Sequence, residues 1–196
     1  NDALGLTWTG AELFDDSSWL TGTNGVGYDT GTREIGETYA ELKNYYPFEN
    51  NAVDSIGGVS GSLNGSPSFT AGHSGKAINL NGTSQYVSLS SLNLPTKFSI
   101  SVWVKPIQKD NIMTVSASSG GGYETAGFRF FINQYQTSDG VVNFETGNGS
   151  AGAIVRSLYP VNWGEWNHIV VIVDRAAGRG KILLNGVDVT SSTENT

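Results

Sequence analysis

Three groups of residues carry chemistry by type and spacing. The run Glu49-Asn50-Asn51-Ala52-Val53-Asp54-Ser55-Ile56-Gly57 gathers carboxylate, amide and carbonyl oxygens in one turn. Calcium takes about six to eight such hard oxygens, although this spacing is not that of an EF-hand loop. Asx residues also hydrogen-bond their own turn, so the same run equally builds a turn that holds no ion. The two histidines are His73, in a turn before Ser74-Gly75, and His168, inside an apolar strand after Trp166. Neither has partners at metal-ligand or dyad spacing, and His168 reads as a hydrogen-bonded residue of a sheet. Glu124, Glu145 and Glu165 stand alone, while Glu34, Glu37 and Glu41 form a solvated run at helical spacing. Ser60, in Gly58-Val59-Ser60-Gly61, lacks the strand-to-helix context of a nucleophile elbow.

Sugars present apolar CH patches beside hydroxyls, so their sites combine an exposed aromatic face with amides and carboxylates. Tyr123, Tyr135, Tyr159 and Trp163 lie in loops and qualify by position. Trp163 and Trp166 bracket Gly164 at a strand entrance, where tryptophans also pack a sheet edge. Asn64, Asn81 and Asn148 open Asn-Gly-Ser/Thr triplets that fit a glycan acceptor, and Asn-Gly turns account for the same triplets.

Strands must position these loops. Glycine numbers 26 of 196 residues and charged residues make up 15%, a composition that favours an all-β, turn-rich chain with little helix. Phe98-Ser99-Ile100-Ser101-Val102-Trp103-Val104-Lys105 alternates strictly, with Trp103 on the polar face. Further strands are expected at 45–48, 76–80, 86–89, 113–116, 128–133, 141–145, 166–173, 181–184 and 187–190. The last two, joined by Asn185-Gly186, form a hairpin. The run 166–173 is apolar on both faces, which predicts a central strand covered on both sides. The loops 116–127 and 135–140 are polar, glycine-bearing rim loops.

The chain length suits one domain with an arm and needs no disulfide, and there is no cysteine to form one. A net charge of −7 with 11 Lys and Arg argues against a nucleic-acid partner. No apolar run suffices for membrane insertion. Residues 1–43 form a separate region, read as an N-terminal arm or the remnant of a preceding module. Leu13-Phe14-Asp15-Asp16-Ser17-Ser18-Trp19 makes a capped turn there, and a short helical or extended segment follows over 32–42.

The ordered phrases Tyr46-Pro47-Phe48-Glu49-Asn50-Asn51-Ala52-Val53-Asp54-Ser55, Gly75-Lys76-Ala77-Ile78-Asn79-Leu80-Asn81-Gly82, Phe98 to Lys105, Trp166-Asn167-His168-Ile169-Val170 and Leu184-Asn185-Gly186 resemble the laminin-G-like, concanavalin A-like jelly roll of bacterial extracellular proteins. The resemblance spans about residues 44–190. It implies a two-sheet antiparallel sandwich over 44–196, a structural calcium with Asn51 and Asp54 among its ligands, and a glycan or polysaccharide as partner. It also implies an extracellular or cell-surface location, with any leader removed before this numbering begins. Glycosidases of the same fold resemble one another in a Glu-x-Asp-x-Glu strand, which this sequence lacks, so the reading is a non-catalytic carbohydrate-binding or adhesive module. The alternative is a structural or assembly subunit of a filament, fibre or surface layer. The family continues beyond the last hairpin with further strands. An open edge is therefore expected here, covered by residues 1–43 or by a strand from another protein chain.

Overall fold

A computed structural model describes residues 42–90, 92, 94–118, 127–147, 150, 152–191 and 194–195. The chain divides into two compact units between Glu41 and Leu42, and the second unit holds every described strand. The arm over 1–43, its capped turn, the segment 32–41, most of the loop 116–127 and Tyr123 lie outside the described residues.

The second unit is all-β, with no helix among the described residues. Its strands are β1 (Ser62–Asn64), β2 (Ser68–Ala71), β3 (Lys76–Asn79), β4 (Tyr86–Ser88), β5 (Lys97–Val104), β6 (Met113–Ala117), β7 (Phe128–Ile132), β8 (Val141–Gly147), β9 (Gly152–Pro160), β10 (Asn167–Asp174), β11 (Arg179–Leu184), β12 (Val187–Asp188) and β13 (Glu194–Asn195). Two antiparallel sheets make the sandwich, in the orders β12-β11-β10-β5 and β13-β9-β8-β7-β6, while β1-β4 and β2-β3 are separate two-stranded ladders.

Period-two alternation decides what is buried. Ile169, Val171 and Val173 of β10, with Ile182 and Leu184 of β11, face Phe130, Ile132, Val142, Phe144 and Val155 of the other sheet. Phe144 sits among Phe98, Phe128 and Phe130, with ring centroids 6.1, 5.8 and 6.4 Å away. The four inward residues of β5, Phe98, Ile100, Val102 and Val104, pack on this core yet stay half-buried.

Several expectations need correction. Residues 45–48 are not a strand, because this stretch bends, with Phe48 and Asn50 at positive φ of 56° and 62°. β10 is not covered on both sides: its alternate residues His168, Val170 and Ile172 are half-buried or exposed. β1, β2, β9 and β13 are strands that the sequence pattern does not predict. The Asn185-Gly186 hairpin forms as expected, with both residues at positive φ (52° and 83°) and Leu184 opposite Val187.

The hairpin's second strand is shorter than expected. After Asp188 the chain leaves β11, as the Thr190 hydroxyl takes over the Ile182 N–H at 3.0 Å, and crosses to the other sheet. There Leu158 N donates to Val189 O, Thr190 bridges Ser157 and Ser191 N donates to Arg156 O. Glu194 and Asn195 then pair with Ile154 and Ala153. The chain's own last residues thus take the β9 edge, which was expected to need an arm or another chain.

Candidate functional site

One end of the sandwich is built by two amides with no exposed surface, Asn133 and Asn167. Asn133 lies at positive φ (68°) where β7 ends. Its Nδ2 donates to Lys109 O and Asn111 O, both at 2.8 Å, and its Oδ1 accepts from Gly140 N at 2.8 Å. Asn167 opens β10, and its Oδ1 accepts from Asn162 N (2.8 Å) while its Nδ2 donates to Asn162 O and Glu165 O (2.9 and 2.8 Å). A buried amide that meets its hydrogen-bonding capacity with backbone groups fixes loops that have no ladder of their own. These two pin the loops 106–112, 134–140 and 161–166.

Tyr135, Tyr159 and Trp163 are brought to this end. Val141 pairs with Pro160, Val161 N donates to Gly140 O at 2.9 Å, and a methyl placed on Gly140 would meet Pro160 and Trp163. Tyr135 is 70% exposed at the tip of the β7–β8 turn, and Tyr159, near the end of β9, is 63% exposed. Trp163 is partly buried and packs against the core, so its ring is partly spent on the sandwich rim. Beside Tyr135, Gln134 Nε2 donates to Asp139 Oδ2 at 3.1 Å. This end therefore offers two exposed phenol rings with amide and carboxylate groups close by in the chain.

The outer face of the four-stranded sheet holds a cluster that sequence reasoning missed. Trp103 stands opposite His168 in the β5–β10 ladder, with ring centroids 4.9 Å apart and planes 21° apart. His73, from the β2–β3 turn, stacks on the same indole at 3.5 Å and 11° and meets Trp166 edge-on at 6.4 Å. With two imidazoles stacked on it, the Trp103 indole, although 43% exposed, offers a ligand little free face. The His168 Nε2 lies 2.8 Å from Ser101 Oγ, and burial together with the nearby His73 holds its pKa below the usual histidine value. The placement of Trp103 and His168 on the polar side of alternating strands was the available signal. The partner His73 is 30 residues and more from both, beyond any pattern.

The turn at 49–57 does not fit calcium. Asp54 Oδ1 accepts from the backbone N–H of Tyr45, Ile56 and Gly57 (2.9, 3.0 and 3.0 Å), and Oδ2 accepts from Asn44 Nδ2 (2.7 Å) and Val59 N (3.2 Å). Burial would raise its pKa, but these donors outweigh it and hold the carboxyl well below the usual range. A cation needs lone pairs directed at it, and here N–H groups occupy them. Asn51 spends its side chain on its own turn, accepting from Val53 N (3.0 Å) and donating to Glu49 O (3.1 Å).

Glu145, on the outer face of β8, is 7% exposed and ion-paired to Arg129 at 3.0 Å. A carboxylate so enclosed and neutralised is poorly placed to protonate a substrate. Glu165 offers its carbonyl to Asn167 and lies in an exposed turn.

A family model described as the concanavalin A-like lectin/glucanases superfamily matches residues 81–196, more than half of the chain. Neither a curated protein nor a solved structure matches it.

Proposed function

The chain belongs to the concanavalin A-like lectin/glucanases superfamily, and from that premise we propose that it is a non-catalytic carbohydrate-binding module of a larger extracellular or surface protein. The observation that carries the reading is the pair of exposed rings, Tyr135 and Tyr159, on loops held at one end of the sandwich. A phenol face accepts the apolar patch of a sugar ring, and Gln134, Asp139 and Asn162 lie near enough in the chain to meet hydroxyls. Shallow contact of this kind gives weak binding without turnover. The enclosed Glu145–Arg129 pair supports binding over hydrolysis.

A glycan array, run with calcium and with chelator, tests the proposal. Binding to a defined set of polysaccharides that Tyr135→Ala abolishes is the expected result. Loss of reducing ends from the bound polysaccharide, or no binding to any glycan, overturns it.

One observation favours a second reading, assembly with other protein chains. Among the described residues β5 has a partner on one side only, and its inward row is half-buried. An unpaired edge beside a half-covered apolar row invites an added strand. Concentration-dependent association that a proline at Ser101 prevents would favour it over glycan binding.

A further inference from the structure

At the opposite end of the sandwich from Tyr135, the two sheets part to leave a cleft of about 280 Å³. It opens between the end of the β8–β9 hairpin, at Gly147 and Gly152, and the β10–β11 turn from Asp174 to Gly180. The floor is apolar: Phe144, Ile154, Val155 and Val173 line it. Of uncharged polar side chains only Thr146 reaches it, so it lacks the amides and hydroxyls that a sugar requires.

The mouth is cationic in a chain whose net charge is −7. Arg175 and Arg179 line it together with one carboxylate, Asp174, and that carboxylate is held by Lys97 at 3.0 Å. Arg175 is fixed in place by Thr146 Oγ1, which accepts from its Nε at 3.1 Å, and by the Phe98 ring, 5.0 Å beneath its guanidinium. Arg179 is exposed and makes no ion pair among the described residues. Space for this opening depends on Gly180, where a methyl would stand 2.9 Å from Val155 Cγ1.

We propose that this inter-sheet cleft binds a small amphiphilic anion, an aliphatic carboxylate of medium chain length. Its hydrocarbon lies against Phe144, Ile154, Val155 and Val173, and its carboxylate meets the guanidinium groups of Arg175 and Arg179. Apolar burial supplies the affinity and the arginine fork, which matches a carboxylate's two oxygens, supplies the sign preference. The site is separate from the tyrosine end, and either can be occupied without the other.

The test is an octanoate titration of the full, ¹⁵N-labelled chain, followed through its backbone amides. Saturable shifts centred on Gly147, Gly152, Gly178 and Gly180 are expected. Hexanoate should bind more weakly by about fourfold per methylene removed. Octylammonium should leave these amides unmoved. Arg179→Glu, at an exposed position, should keep the spectrum of the folded chain and weaken octanoate by about tenfold. The proposal is overturned if octanoate gives no saturable shift, if its shifts centre elsewhere, if octylammonium binds equally well, or if affinity is independent of chain length.

Discussion

Trp103 and His168 face each other across the β5–β10 ladder, 4.9 Å between ring centroids, and His73 stacks on the same indole. The stack joins the β2–β3 turn to the main sheet through side chains alone, which makes it sensitive to protonation. His168 has a folded-state pKa below its ordinary value, through burial and then the nearby His73. The unfolded chain therefore binds the proton more readily. The stabilisation is complete above the unfolded pKa, near 6.5, and is lost as pH falls through the lower folded value.

Thermal melts between pH 7.5 and 5 should accordingly show a falling Tm, with a shallower fall in His168→Gln than in the parent chain. Parallel curves for the two would remove His168 from the account.

Asp54→Asn should lower Tm by roughly 5 °C or more at neutral pH, because an amide cannot accept all five N–H groups that the carboxylate now serves. The folded pKa is depressed, so this carboxylate's contribution is complete above the unfolded value and disappears only in strongly acidic solution. Adding calcium or a chelator should leave the parent's Tm unchanged. A calcium-dependent rise that Asp54→Asn abolishes would restore the cation.

Asn133→Ala strands three backbone groups, Lys109 O, Asn111 O and Gly140 N, at a site with no solvent access. A cost of about 2–4 kcal/mol follows. Faster amide exchange in residues 107–111 and 134–140 than in β10 would localise the damage. Uniform exchange across the unit would show that the amide supports the whole core and not the loops that carry Tyr135.

Phe144→Ala removes the ring that Phe98, Phe128 and Phe130 surround. About 3–5 kcal/mol of stability should go with it, measured by urea unfolding. A loss below about 1 kcal/mol would mean that the neighbouring rings collapse into the cavity.

Tyr135→Ala and Tyr159→Ala should each weaken glycan binding by about tenfold, near 1.4 kcal/mol. Because both rings are exposed, stability should change by no more than about 0.5 kcal/mol. Affinity unchanged in both variants would move the site to another surface.

The class of fold and most of its strands were legible in the order of residues alone. Alternation in 97–104 and the Asn185-Gly186 pair are local signals, set by side-chain period and by positive φ, and neither needs a partner to be read. The family was legible too, through phrases spaced as strands and turns. What those phrases do depends on contacts made only in the folded chain. β9 and the crossing at Thr190 were not legible, because β9 is interrupted by Ser157, whose hydroxyl accepts the Val142 N–H at 2.9 Å within the β8–β9 irregularity. Asp54 has the chemistry of a cation ligand, yet five N–H groups, one of them from Asn44 ten residues away, converge on it. His73 has no spacing relation to Trp103 or His168, and only the packing of a turn against a sheet brings them together. Local steric rules fix elements over a few residues, whereas a site is a set of long-range contacts. Those contacts exist only once burial of the core has fixed which loops meet.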